Sequence, residues 1–269
     1  MASDTPHTEP LPVTQRPRAC DKARIRFSKG GDLRLVSHRD LLKCFERVLR
    51  RAQLPVHHSQ GFHPMPRMVF AQSLGLGLIG SSEVLELEFD EPVEPDDLQR
   101  RLAAQMPPGL QILAVNRIPV KSSAQVRRAG YRVTISSERV AEIGPRIDAL
   151  LGTSELWVER TRPSPRRFDL RPLISQVRLN DHALEMLLWV TPTGAARPDE
   201  VLTLLGLGDL VEKGVPLERH ILELHDETHD PGPVPEVHTI NQPEKGKRLA
   251  ADPSVRPTAL VAGPMNFDT

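Results

Sequence analysis

The order in which apolar spacing switches between a period of two and a period of 3.6 constrains this chain more than any single residue. Ile25 and Phe27 alternate with Arg24, Arg26 and Ser28, which predicts a half-buried strand. Gly30, Gly31 and Asp32 then turn the chain. Ser37 stands three residues before Asp40, an N-cap followed by an acid in the first helical turn. Leu41, Leu42, Phe45, Val48, Leu49 and Ala52 follow on one helical face, and Pro55 limits the helix because the residue before proline avoids the α region. Residues 67–73 and the alternating Leu85, Leu87 and Phe89 predict two more strands. Pro95 opens a second helix through Leu98, Leu102 and Met106, closed by Gly109, and residues 110–118 read as a strand. The resulting order, βαββαβ, is that of a ferredoxin-like unit. In that unit the first and third strands are neighbours, so Arg24 and Arg26 should face the same way as Glu86 and Glu88, with each opposite-charge pair contributing roughly 0.2–1 kcal/mol on an open sheet face.

The second half repeats the pattern less regularly. A strand is expected over 131–135, and a helix over 138–151 interrupted at Gly144 and Pro145. Further strands are expected at 156–158, 166–173 and 176–191 with a turn at Asn180 and Asp181, then a helix over 198–205 and a closing strand over 220–224. The fold class predicted is α+β, two tandem ferredoxin-like units at 21–120 and 128–225. Residues 1–20 are polar and proline-bearing, and 226–269 are proline-rich without a sustained period. Both are expected to be disordered. The 269 residues accommodate either one large domain or two small ones. The two cysteines, Cys20 and Cys44, form no CxxC pair, the opening residues carry no apolar run, and no segment is apolar enough to span a bilayer. The expectation is a reducing, cytoplasmic protein without a membrane anchor.

The formal net charge is zero, yet the charges are segregated. Residues 22–67 hold eleven Lys and Arg against three acids, whereas residues 83–97 hold eight acids and no base. Such blocks raise the local concentration of an anionic partner on one side of a molecule. Arg39, Lys43, Arg47 and Arg51 recur every four residues with Arg50 beside them, a cationic stripe on the outer face of the first helix. Like charges at that spacing disfavour a helix, which points to a use for them. The segment that follows carries His57, His58, Ser59, Gly61, Phe62, His63, Pro64, Pro66 and Arg67. It reads as a stiffened loop whose amides and Arg67 can hold a phosphate or a carboxylate. His57, His58 and His63 could in principle ligate zinc with Cys44 or His38. Neighbouring histidines on an extended segment point to opposite faces, however, and no carboxylate or second cysteine stands at a useful spacing, so no metal and no cofactor is expected. Gly75 to Gly80 lacks the lysine of a phosphate-binding loop and precedes no helix.

Taken together, residues 26–34, Ser37, His38, Asp40, 45–47, 50–52, 59–64, Pro66, Arg67 and 169–174 resemble the radical-SAM-associated domain family of unknown function, over about residues 22–225. His63 stands where members commonly have asparagine, and Arg67 where lysine is common. The resemblance implies an accessory role beside a radical SAM enzyme, supplies no catalytic mechanism, and adds Arg171 to the candidate binding residues.

Three functions follow as expectations. The first is a non-catalytic accessory protein that binds RNA, or an RNA-containing complex, through Arg39, Lys43, Arg47, Arg51 and the 57–67 loop. The second is an RNA-modifying enzyme of the pseudouridine-synthase type, with Asp40 or Asp169 as the catalytic carboxylate. Asp40 is more simply a capping acid, and Asp169 more simply half of a buried pair with Arg171. The third is a purely protein-binding module.

Overall fold

The structure, a computed structural model, describes residues 19–161, 165–228, 232–237 and 239–241. The expected disorder of 1–18 and 242–269 therefore lies outside the described residues. The fold is α+β, with one large, mostly antiparallel sheet. In chain order its elements are β1 (Asp21–Lys29), α1 (His38–Arg51), β2 (Met68–Phe70), β3 (Ile79–Phe89), α2 (Pro95–Ala103), β4 (Leu110–Arg117), β5 (Val126–Thr134) and α3 (Ser137–Gly152). These are followed by β6 (Trp157–Arg160), β7 (Arg166–Asp169), β8 (Ile174–Asn180), β9 (Ala183–Thr191), β10 (Gly194–Ala195), α4 (Pro198–Leu204), α5 (Asp209–Glu212), β11 (Glu218–Leu224) and β12 (Thr239–Asn241).

The large sheet runs β10-β9-β5-β11-β3-β1-β4, with β2 added to β3 and β8 to β9. Strands β6, β7 and β12 form a small separate sheet. As expected from the βαββαβ order, β1 pairs antiparallel with β3, Arg24 opposite Glu86 and Ile25 opposite Leu85. Two apolar cores lie on the helical side. One joins Ile25, Phe27, Phe45, Val48, Leu85, Leu87 and Phe89 to Leu98 and Leu102 of α2. The other joins Tyr131, Val133, Ile143, Ile147, Phe168, Met186 and Leu188 to Val201 and Leu202 of α4.

Both halves of the chain share this sheet because β11 pairs in parallel with the start of β3, Glu218 opposite Ile79 and Arg219 opposite Gly80. The seam carries buried charge. Arg219 and Glu83 are each 2% exposed, and Arg219 Nε donates to Glu83 Oε1 at 2.9 Å while its second nitrogen donates to Glu83 Oε2. The remaining guanidinium hydrogens reach the carbonyls of Ser73 and Gln72, both at 3.2 Å. Burial opposes the Arg219 charge, but its bonds to Glu83 outweigh that and raise its pKa above the ordinary value. Lys29, 1% exposed, donates to the carbonyl of Val36 at 2.8 Å. Burial lowers its pKa and the Glu83 charge pulls the other way.

Four sequence expectations are corrected. The face carrying Arg24 and Glu86 is covered rather than open. Arg24 is 4% exposed, pairs with Glu86 at 2.9 Å and also with Asp226 at 2.8 Å, while Lys22 donates to the carbonyl of Ser122. The linker between the halves and the turn after β11 thus shield that side. Accordingly, the segment after residue 225 includes the 3-10 turn His225–Glu227 and the strand β12, both ordered by contacts far away in sequence. Helix α3 continues through Gly144 and Pro145 because Ile143, Ile147 and Leu150 keep one buried face across the break. Of residues 67–73 only Met68–Phe70 pair as a strand, since β11 takes the neighbouring stretch of β3.

The seam yields a prediction. Arg219→Met leaves Glu83 buried without its main partner and should cost about 3–5 kcal/mol in urea denaturation, whereas the double variant Arg219→Met with Glu83→Met should recover most of that loss. A single variant as stable as the wild type would remove the seam pair from any account of how the halves are joined.

Candidate functional site

Helix α1 begins at a well-formed cap. The Ser37 hydroxyl accepts from the amide of Asp40 at 3.2 Å, and its own proton goes to Asp40 Oδ2 at 2.7 Å. That bond, followed by the Lys43 and Arg39 charges, holds the Asp40 carboxyl below its ordinary 3.8. Leu41, Phe45, Val48 and Leu49 turn inward, and Phe45 packs edge-on against Phe27 and Phe70. With that face fixed, Arg39, Lys43, Arg47, Arg50 and Arg51 all lie exposed to solvent. Lys43 approaches Asp40 at 3.6 Å. Among the described residues no ion pair holds the four arginines. Cys44 sits between the stripe and the core. Burial raises its thiol pKa, and Arg47 and Arg51 act against that rise.

At the C-terminal end of α1 the chain turns through Gln53, which has a φ of 51°. Arg101 of α2 closes this end by donating to the carbonyls of Ala52 and Gln53, each at 2.6 Å. Val56 bridges to Phe89, and the His57 amide donates to the carbonyl of Glu88, so the following loop leaves from the end of the sheet beside the last turn of α1. The loop is a clamped hairpin rather than a floppy crossover. The Arg67 amide donates to the carbonyl of His57 at 2.7 Å, the Ser59 amide to that of Met65 at 2.8 Å, and the Met65 amide to the Ser59 hydroxyl at 3.0 Å. His58 bridges to Pro66. Gly61 takes a φ of 151°, a backbone region open to glycine and unfavourable for other residues. Phe62, at the tip, is 102% exposed, and His58, His63 and Arg67 are exposed along with it.

Asp90 is the functional-site residue that the sequence did not suggest. Its Oδ1 lies 2.5 Å from His57 Nδ1 and anchors the base of the hairpin. It stands 33 positions away, inside the acidic block, and no local pattern marks it. Arg39, Lys43, Arg47 and Arg51 thus stand along the solvent face of α1, and His58, Ser59, Gly61, Phe62, His63 and Arg67 in the hairpin that follows it, with His57 turned onto Asp90. Arg171 is elsewhere. It donates to the carbonyls of Thr153, Leu151 and Ile174, closing the end of α3. Asp169 is buried and accepts from the amides of Leu156 and Arg171 at 2.8 and 3.0 Å, so its bond to Arg171 is through backbone rather than guanidinium. No group of three or more His, Cys, Asp and Glu that could hold a metal ion occurs among the described residues. No helix among them is long and apolar enough to cross a membrane.

The capping geometry at Asp40 can be checked directly. Ser37→Ala should cost about 1 kcal/mol of stability, and Asp40→Asn should lower the thermal midpoint at neutral pH. Because the folded-state pKa of Asp40 is depressed, its contribution is present above the unfolded value and is lost as pH falls through the folded one. The gap between Asp40→Asn and the wild type should therefore close on acidification below about pH 4. A gap that persists unchanged in acid would remove the capping role.

No curated protein matches the chain. Among solved structures, the "Crystal Structure of an Unknown Protein from Galdieria sulphuraria" aligns at 16% identity over 76% of this chain and 98% of that one, with a TM-score of 0.23. A family profile described as "Uncharacterized protein conserved in bacteria (DUF2344)" matches residues 22–198, and the chain belongs to this family.

Proposed function

We propose that the chain is a non-catalytic, cytoplasmic accessory protein that binds RNA, or an RNA-containing complex, and works beside a radical SAM enzyme. The observation that carries the RNA half of this reading is the solvent face of α1. Arg39, Arg47, Arg50 and Arg51 stand exposed with no ion-pair partner among the described residues. Elsewhere in the molecule arginines are heavily paired, as with Arg128 on Glu223 and Arg160 on Glu200. Like charges four apart cost a helix a few tenths of a kcal/mol per pair, and a phosphate backbone laid along the stripe would turn that repulsion into attraction. The radical SAM half rests on the resemblance carried by residues 26–34, Ser37, His38, Asp40, 45–47, 50–52, 59–64, Pro66, Arg67 and 169–174.

We read the two halves as tandem ferredoxin-like units. The strand order β4-β1-β3-β2, with α1 and α2 as crossovers, supports this for the first half. The order β11-β5-β9-β8, with α3 and α4, supports it for the second, where β6 and β7 are an insertion. The non-catalytic reading draws on both carboxylates considered above. Asp40 is exposed in a capping bond, and one oxygen of the buried Asp169 is already held by two amides.

Salt dependence tests the phosphate contact. RNA affinity of the full chain should fall linearly with log salt. The variant carrying Arg39, Lys43, Arg47 and Arg51 all changed to Gln should bind more weakly and show a slope shallower by about 0.7–0.9 for each contact removed. A wild-type affinity that is flat in salt would overturn RNA binding and leave docking to a protein as the reading.

A further inference from the structure

The site proposed above holds one group that phosphate binding does not use. Phe62 is a large aromatic side chain presented wholly to water, and three independent features keep it there. The hairpin is closed on both sides by the backbone bonds between His57 and Arg67 and between Ser59 and Met65. Its base is fixed by His57 on Asp90 and by Val56 on Phe89. The turn before Phe62 depends on Gly61 in a backbone region that other residues avoid. The clamped backbone thus lifts the ring away from the first-half core, which already contains Phe27, Phe45, Phe70 and Phe89.

The surroundings of the ring narrow what it meets. His58, His63 and Arg67 are exposed in the same hairpin, and Arg50 and Arg51 close the helix beside its base. The carboxylates nearest in the topology are Asp90, engaged with His57, and Glu88, whose strand pairs with the residues after Arg67. An exposed aromatic ring in a hairpin that also carries His58, His63 and Arg67 suits a ligand with a flat π-system beside a phosphate. In a continuous RNA duplex every base is stacked inside the helix, out of reach of such a ring, whereas an unpaired base can be splayed onto an aromatic side chain.

We propose that Phe62 is a stacking platform for an unpaired nucleobase, so that the chain takes single-stranded, bulged or looped RNA in preference to continuous duplex. The inference rests on the RNA reading above and names its substrate class. In it, α1 engages the phosphates without regard to pairing, and the hairpin tip supplies the discrimination.

The test compares two fluorescently labelled RNAs of the same sequence, one a continuous duplex and the other carrying a single unpaired adenosine. Each is titrated by anisotropy with the full chain and its variants. The wild type should favour the bulged RNA by roughly five-fold or more, the weight of one base–aromatic stack. Phe62→Ala should bind both RNAs alike, with the salt slope unchanged. Phe62→Trp should keep the preference, and Phe62→Leu, apolar without a π-face, should lose it. A wild type without preference, or a preference that survives Phe62→Ala or Phe62→Leu, overturns the stacking role and assigns Phe62 to another contact, such as a protein partner. The stripe variant separates this from failure of the underlying reading. If it weakens both RNAs, phosphate binding stands whatever Phe62 does, and if it changes neither, the RNA reading itself falls.

Discussion

The pairing of Arg219 with Glu83 is the interaction on which the arrangement of the chain depends. Each residue alone would be a buried charge that folding could not tolerate, since isolated ions lose several kcal/mol of solvation on burial. Together, with the carbonyls of Gln72 and Ser73 and the Lys29 ammonium nearby, they form a satisfied network at the seam where β11 meets β3. Replacing such a pair by apolar residues need not cost stability. Its value is specificity, because only one register of β11 on β3 puts the guanidinium opposite the carboxylate. Tyr131 of β5 flanks the guanidinium from the second half, and burial raises its pKa. The network therefore touches β1, β3, β5 and β11.

The same network reaches the candidate site. Lys29 donates to the carbonyl of Val36, one residue before the Ser37 cap. The start of α1 is thus tied to the seam, while its other end is held by Arg101 of α2 on the carbonyls of Ala52 and Gln53. Between these two points four buried apolar residues set the rotation of the helix about its axis. The face of α1 on which the arginines stand is consequently fixed by the core and both helix ends. A helix held this way needs no backbone ordering on binding, which reduces the entropy that binding must otherwise overcome.

Much of this was legible in the residues because it is local. The cap at Ser37, the helical face from Leu41 to Leu49 and the turn at Asp181 all follow from spacing or short-range chemistry. What escaped the sequence is non-local. Nothing near Asp226 announces that it will pair with Arg24, 202 positions away, and cover a sheet face that alternation alone leaves open. Gly144 and Pro145 read as a break because propensity is local, whereas the burial that carries α3 across them is tertiary. Asp90 was hidden for the same reason, within a run of acids that composition treats as interchangeable.

The division of the charge follows from these placements. The basic stretch from Lys22 to Arg67 separates into two populations according to the face each residue occupies. Lys22, Arg24 and Lys29 are strand residues and end buried against carboxylates or carbonyls. Arg39, Arg47, Arg50 and Arg51 are helix residues on the side opposite the core and stay in water. Net charge cannot separate these roles, and neither can the density of basic residues along the chain. The period can, because a period of two carried Lys22 and Arg24 beneath the linker and the turn after β11, while Lys29 closes on the carbonyl of Val36, and a period of 3.6 carried the second group to the face of α1 opposite the core. A cationic surface survives on a chain of zero formal charge because those arginines stand on the solvent face of α1, while eight of the 35 acids fall together in residues 83–97, from β3 to the start of α2.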